Sequence, residues 1–192
     1  MKKVLVGVIL ALGLFLIGSL TGFHFKEINA VPGDVKMIRS SDIGKYGKAV
    51  LFEDKAHETF GVAKVKKMFW FLYRYDGGTW GEMIEEGKPF QASGIADNED
   101  FLVAIKTAKN SNIKYIVLGN HMKGVSPLDK YELTLADVIE NIDEHYLKEV
   151  EDNYSLFVTE EYSEETWTIR AFDVNGNLIA DKLFGGDARY IY

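Results

Sequence analysis

The chain of 192 residues contains no cysteine and only three prolines. Without cysteine there is no disulfide bond, no cysteine nucleophile and no lipid-modified cysteine, so a domain outside the cytoplasm has to be held together by packing alone. With few prolines and 47% hydrophobic residues, the composition is typical of a folded globular chain and not of a disordered stalk.

Catalytic motifs are also missing from the sequence. No serine stands in a G-x-S-x-G pattern, and the glycines between residues 61 and 81 form neither a dinucleotide-binding loop nor a Walker phosphate loop. The histidines lack the spacing of zinc ligands; they are His24, His57, His121 and His145. We therefore predict no metal and no cofactor, and the sequence favours a binding role over an enzymatic one.

Residues 173–177 match the start of a calcium-binding loop, with the pattern D-x-N-x-N. The match stops there, because Leu178 occupies the position of the required glycine and Phe184 that of the bidentate glutamate. Asn175 followed by Gly176 is instead a strong signal for a β-hairpin turn. We therefore interpret this segment as a hairpin turn.

The longest apolar stretch covers residues 4–23, twenty positions without a charged side chain. At about 1.5 Å per residue, a helix of this length reaches roughly 30 Å, the thickness of the hydrocarbon core of a bilayer. Lys2 and Lys3 precede it, which favours a cytoplasmic N-terminus. Residues 1–23 are therefore predicted to be a signal-anchor transmembrane helix of the cell membrane, with the main domain extracytoplasmic.

Two alternatives remain for this apolar segment. A cleaved signal peptide would release a secreted domain, although its apolar region normally has only about 7–15 residues. Cleavage would fall around Gly18, Leu20 and Gly22. Gly18 and Gly22 also form a G-x-x-x-G pair, which allows helices to approach closely and indicates an accessory subunit of a membrane complex as the other alternative.

The rest of the chain is predicted to be a linker at residues 24–33 and a single extracytoplasmic domain at residues 34–192. Acidic residues outnumber basic residues by 29 to 22, and two of the lysines precede the apolar segment. Such an acidic domain argues against nucleic acid as a partner. The expected partners are the membrane, through a single span, and a protein or polymer of the cell envelope.

Apolar runs predict an α+β domain built mostly from antiparallel hairpins, with one amphipathic helix. Four hairpins are predicted. The first joins residues 48–53 to 59–67, and the second joins residues 101–108 to 113–118. The third joins residues 154–158 to 166–173, and the fourth joins residues 166–173 to 177–183. Residues 101–108 also fit a helical stripe, and the similar spacing of three hairpins leaves open whether they form a repeat. Residues 68–75 are predicted to be one central strand.

The predicted helix begins at Leu135, and its apolar residues recur every three or four positions at Val138, Ile139, Ile142 and Tyr146. This spacing places them on one side of a helix. Thr134 stands at the N-cap position and Asp137 at the third position of a capping box.

An aromatic-rich stretch supplies the candidate binding surface. Core packing is the simpler explanation of such a stretch, but Trp, Tyr and Arg also dominate binding hot spots when they are exposed. The candidate residues are Trp70, Tyr73, Arg74, Tyr75 and Trp80. Just before them, Lys64, Lys66 and Lys67 indicate either a solvated strand face or a docking site for an anionic envelope polymer.

Paired carboxylates keep an enzymatic alternative open. They are Glu53 with Asp54, Glu85 with Glu86, Glu160 with Glu161, and Glu164 with Glu165. A glycosidase needs two carboxyl groups in unequal environments within one cleft, whereas acidic pairs in turns normally face water. The favoured function is therefore a non-enzymatic envelope binding or interaction module, with an envelope hydrolase and an accessory membrane-complex subunit as alternatives.

Overall fold

The computed structural model describes Gly7, Gly13 and residues 22–68, 70–97, 100–119 and 130–191. The short helices are α1 (Glu27–Ala30) and α2 (Leu135–Glu140), with a 3-10 helix at Ile142–Glu144. The strands are β1 (Phe23–His24), β2 (Val35–Ile43), β3 (Gly47–Asp54), β4 (Phe60–Met68), β5 (Leu72–Gly78), β6 (Phe90–Ala96), β7 (Phe101–Thr107), β8 (Tyr115–Gly119), β9 (His145–Glu149), β10 (Tyr154–Thr159), β11 (Ile169–Phe172), β12 (Leu178–Lys182) and β13 (Arg189–Tyr190). The prediction of mostly antiparallel sheets with few helices is confirmed.

These strands form three antiparallel sheets. Sheet A has the order β1-β5-β4-β3-β2, sheet B has the order β10-β7-β6, and sheet C has the order β13-β12-β11-β8-β9. In β7, Leu102 and Ala104 pack into a core shared with sheet A, while the alternate residues, such as Val103, pack into a core shared with sheet C. Sheet B is therefore the middle layer. Burial on both faces explains why β7 reads as a continuous apolar run.

The helices cover the outer faces of the two outer sheets. Ala30 and Val31 pack at the end of α1 against the face of sheet A that carries Val50 and Phe52. On the opposite side, Val138 of α2 packs against Val117 and Phe172 of sheet C. The strand residues beneath each helix alternate with the residues that face sheet B. In sheet A, both faces of β3 are therefore apolar.

Two of the predicted hairpins are confirmed and two are wrong. β3 pairs with β4 as predicted, and β11 pairs with β12 across a turn in which Gly176 has φ +83°. However, β7 pairs with β6 and β10, while β8 pairs with β9 and β11. The strands lie where the pattern predicts them, but residues 108–114 carry the chain from sheet B to sheet C instead of closing a hairpin.

The predicted central strand at residues 68–75 is also wrong. β4 ends at Met68, Trp70 and Phe71 lie in a turn, and β5 begins at Leu72. The turn contains none of the glycine or asparagine residues that normally signal one, and Trp70 itself adopts a positive φ of 70°. The aromatic content of residues 68–75 therefore predicted a single strand where the chain forms a hairpin.

The capping box of α2 is confirmed, but the helix is shorter than predicted. The Thr134 hydroxyl accepts a hydrogen bond from the Asp137 amide, and the Asp137 carboxylate accepts one from the Thr134 amide. The helix ends at Glu140, and Tyr146 belongs to β9. β9 pairs with β8, whose outward backbone groups a continued helix would leave without this strand partner, and this pairing overrides the local apolar spacing.

Residues 24–33 contain ordered structure at the start of the domain. This predicted linker includes α1, and Ala30 and Val31 are buried. Of the apolar segment 4–23, only Gly7, Gly13, Gly22 and Phe23 belong to the described residues. Among the described residues, no helix has the length and hydropathy needed to cross a membrane.

Candidate functional site

The structure separates the five residues of the predicted aromatic surface. Tyr73 and Tyr75 lie on the α1 side of sheet A, where Trp80 packs on Tyr75 with ring centroids 5.5 Å apart. Arg74 points to the other side and contacts the ring of Phe23. Trp70 lies at the β4–β5 turn with 87% of its surface exposed. Tyr73 and Tyr75 are therefore half-buried packing residues and Trp80 packs on Tyr75 with 37% of its surface exposed, while Trp70 is open to solvent.

Surface cavities occur at both ends of the core between sheets A and B. The first, of about 650 Å³, lies beside the β2–β3 turn and the end of β4, and we call it the tip cavity. The second, of about 710 Å³, lies at the other end of β3, and we call it the Glu53 cavity. Both volumes fall within the range typical of ligand pockets. Sequence reasoning found neither cavity, because their walls come from distant strands.

A buried lysine closes the core at the tip cavity. Lys64 faces inward from β4, and its ammonium group lies 2.5 Å from Asp97 and 2.7 Å from Asp100, both in the β6–β7 connection. Burial by itself lowers the pKa of Lys64, but the hydrogen bonds to the two aspartates outweigh it and the pKa is raised. Lys64 is therefore a paired structural cation.

A second polar cluster closes the core at the Glu53 cavity. The Tyr154 hydroxyl donates a hydrogen bond to Oε1 of Glu53, and the Lys106 ammonium donates to the same oxygen at 2.9 Å. Burial raises the pKa of Glu53, but these two donors outweigh it, so the pKa lies below its ordinary value. Burial and the neighbouring carboxylate raise the pKa of Tyr154. Glu53 is therefore held ionised.

Asp54 and His57 form a turn beside this cluster. The Asp54 carboxylate accepts hydrogen bonds from the Ala56 amide at 2.7 Å and the His57 amide at 3.1 Å, and its Oδ1 lies 3.2 Å from Nδ1 of His57. The Ala56 amide is the main reason that the pKa of Asp54 is lowered. Asp54 thus terminates β3 and orients the exposed imidazole towards the cavity wall.

The acidic pairs do not provide the unequal carboxyl groups that a glycosidase requires. Glu53 and Asp54, the one predicted pair that lines a cavity, both have a lowered pKa, as do Asp137 and Asp173. A general acid needs a raised pKa. The other three predicted pairs, at residues 85–86, 160–161 and 164–165, are exposed to solvent.

In the described part of the chain, no three side chains of His, Asp or Glu come close enough together to hold a metal ion. Asp173 accepts hydrogen bonds from the amides of Asn175 at 2.8 Å and Asn177 at 2.9 Å, as expected for a hairpin turn. The partial calcium pattern therefore has a structural explanation. His121 lies outside the described residues.

Cations without partners remain at the Glu53 cavity. Lys55 pairs with Asp34 at 2.6 Å, but Lys36 and Lys109 have no ion-pair partner among the described residues. Met83, which is 55% exposed, adds an apolar wall. This arrangement suits a ligand that carries negative charge next to an apolar part, because the lysines attract the charge and the methionine packs on the remainder.

Comparisons with protein-family models, with curated proteins and with solved structures find no match to this chain.

Proposed function

We propose that this protein is a single-pass membrane protein whose extracytoplasmic β domain binds an anionic protein or polymer of the cell envelope without catalysing a reaction. The observation that carries the proposal is that Lys36 and Lys109, at a cavity of about 710 Å³, form no ion pair within the described residues. Four lysines and three carboxylates line this cavity, so in a chain with a net charge of −7 it is a place where an anion can be attracted.

The membrane part of the proposal rests on residues 4–23. Gly22 has a positive φ of 74° and Phe23 pairs in β1, so residues 4–21 remain for the span. Their length of about 27 Å as a helix is within the range of a membrane span, and the preceding lysines favour a cytoplasmic N-terminus. The cysteine-free domain would then fold outside the cytoplasm, where its four apolar clusters support it without disulfides.

The hydrolase and accessory-subunit alternatives have weaker support. Glu53 is already engaged by Tyr154 and Lys106, and the neighbouring Asp54 carboxylate organises its own turn. A hydrolase would require one of these groups to hold a proton at neutral pH, whereas both pKa values are lowered. The accessory-subunit alternative depends only on Gly18 and Gly22 in the apolar segment.

Binding can be tested with the intact protein in lipid nanodiscs. The probes are fluorescent poly(glycerol phosphate) and polyglutamate, with neutral dextran as the negative control. We expect Lys36→Gln with Lys109→Gln to weaken polyanion binding about tenfold, because each exposed pair contributes about 0.5 to 1 kcal/mol. The matched control is Lys45→Gln with Lys67→Gln, which removes the same charge at the tip cavity. An equal loss in both double variants would contradict the assignment to the Glu53 cavity.

The topology is tested separately in cells. Carbonate extraction of membranes is expected to leave the protein in the pellet, and protease added outside intact cells, after removal of any wall, is expected to cleave the domain. N-terminal sequencing of the same material distinguishes the anchor from a cleaved signal peptide. Release of the protein by carbonate, or protection of the domain from external protease, would contradict the proposed arrangement.

A further inference from the structure

Three large aromatic side chains are exposed at one corner of sheet A. Phe25 is 60% exposed, Phe71 is 56% exposed, and Trp70 beside them is the most exposed of the three. The rings of Phe25 and Phe71 are stacked, with centroids 6.2 Å apart and planes within 9° of parallel. We call Phe25, Trp70 and Phe71 the aromatic corner. Clustered exposed aromatic side chains on a folded domain normally indicate an interaction surface.

The aromatic corner lies next to the end of the apolar segment 4–23. Phe23, the last residue of that segment, pairs with Arg74 in β1, so the domain begins with no free linker. Phe25 follows two residues later, and this length of chain spans at most about 7 Å. The headgroup layer on each side of a bilayer is about 5–7 Å thick. If residues 4–21 span the membrane, Phe25 lies four residues beyond the span, at most about 14 Å along the chain, so the aromatic corner lies within or just above the headgroups.

The chemistry of the corner fits that depth. Tryptophan is enriched at membrane interfaces because its ring is largely apolar while its N–H group forms hydrogen bonds. Lys26 and Lys67 adjoin the corner in sequence and have no ion-pair partner among the described residues. Lysines at this level contact lipid phosphates, and a bilayer therefore matches both the aromatic rings and the nearby charges.

The backbone at the tip supports the same interpretation. Trp70 has a φ of 70°, in the left-handed region that bulky residues rarely adopt. A glycine or asparagine would fit this turn more easily. A solvent-exposed tryptophan at such a position contributes nothing to the core of the domain, so a role in contacting a partner accounts for it better than a role in folding.

We propose that the aromatic corner inserts into the headgroup region of the bilayer that residues 4–21 span, and so holds the domain against the membrane surface. This inference rests on the proposed membrane anchor. It places the tip cavity near the lipid and leaves the Glu53 cavity, about 20 Å away at the other end of β3, open to the envelope.

The test uses tryptophan fluorescence of the intact chain in liposomes of phosphatidylcholine with a minor fraction of phosphatidylglycerol. In a variant with Trp80→Phe and Trp167→Phe, Trp70 is the only tryptophan. We expect a blue-shifted emission that brominated phosphatidylcholine quenches by at least half. The matched control carries Trp70→Phe and Trp80→Phe, leaving Trp167, which is half-buried against Phe101 away from the aromatic corner and is expected to be quenched much less.

The difference between the wild-type protein and Trp70→Phe gives the same comparison without altering Trp80 and Trp167. Flotation of the liposomes in a density gradient is measured in parallel. Protein that floats but shows unquenched, water-like Trp70 emission overturns this inference and leaves the anchor intact. Blue-shifted emission without lipid quenching also overturns it, because a protein partner or self-association would then cover Trp70. Protein that does not float overturns the anchor and this inference together.

Discussion

Lys64 and Lys66 lie two residues apart on β4, but their surroundings give them different energetic roles. Lys64 points into the core between sheets A and B and is held by two aspartates, whereas Lys66, on the same face but nearer the end of the strand, is exposed and pairs with Asp76 at 2.9 Å. Removing the cation of a buried pair leaves uncompensated carboxylates, while an exposed pair contributes little.

We therefore expect Lys64→Ala to lower the free energy of unfolding by about 2 kcal/mol, and Lys66→Ala to lower it by less than about 1 kcal/mol. The value for Lys64 is reduced from that of a fully buried pair because Asp97 is partly exposed. Urea denaturation of the intact protein in detergent, followed by circular dichroism, measures both. Equal losses would show that Lys64 is no more than a surface cation.

The pH dependence of stability is expected to report on Glu53. Because its pKa in the folded state lies below the ordinary value of 4.5, the ionised form stabilises the fold at neutral pH, and this contribution is lost as the pH falls below about 4.5. Glu53→Gln should cost about 1 to 3 kcal/mol at neutral pH and should flatten the decline in acid. Urea midpoints across the acidic range measure this. Glu58→Gln, in the exposed turn that follows β3, is the charge-matched control, and an equal flattening in this variant would contradict the assignment to Glu53.

Among the elements, α2 depends on its cap more than on its length. With Leu135–Glu140 as its whole extent, it has little internal stability, and Val138 is its one buried residue. Thr134→Ala removes the hydroxyl that accepts from Asp137 and is expected to cost about 1 kcal/mol. Thr134→Ser keeps the hydroxyl and should retain most of the stability. Thermal unfolding distinguishes the two, and equal losses would indicate that the methyl group matters instead.

The strand pairing explains why element prediction from sequence succeeded in part. The side-chain pattern alone predicts the position of a strand. It does so for the end of β4, where burial alternates, and for β7, which is buried on both faces. It does not predict the partner of a strand, because β7 and β8 are neighbours in sequence but lie in stacked sheets. The Asn-Gly turn between β11 and β12 is a case in which the local sequence does determine the pairing.

At the scale of the whole molecule, sheet B joins two cores into one unit. Residues of β7 contribute to the core with sheet A and, on the opposite face, to the core with sheet C. Loss of either core exposes one face of β7, so neither outer sheet is expected to unfold alone.

We therefore expect Trp80, which packs on Phe52 in sheet A, and Trp167, which packs on Phe101 of sheet B, to report the same unfolding transition. Two variants of the intact chain, each with one of these as its only tryptophan, are unfolded in urea. In each variant the fluorescence midpoint is compared with that of far-ultraviolet circular dichroism, which cancels any change in overall stability. A Trp80 transition at lower urea than the circular dichroism transition would show that sheet A is an independent unit.

The sequence by itself determined the features that depend on neighbouring residues. These are the positions of most strands, the capping box at Thr134 and the hairpin turn at Gly176. Each depends on side chains within a few positions of one another, so the local chain carries the whole physical cause.

The tertiary structure alone decided which strands pair, where the cavities open and which charges are buried. Tyr154 and Glu53 are 101 residues apart, and Lys106 and Glu53 are 53 apart. Arg170 is fully buried where its side chain reaches the carbonyl of Gly119, on another strand of sheet C. Such contacts arise when stacked layers bring distant segments together, and a buried charge is tolerated only where that stacking supplies its partner.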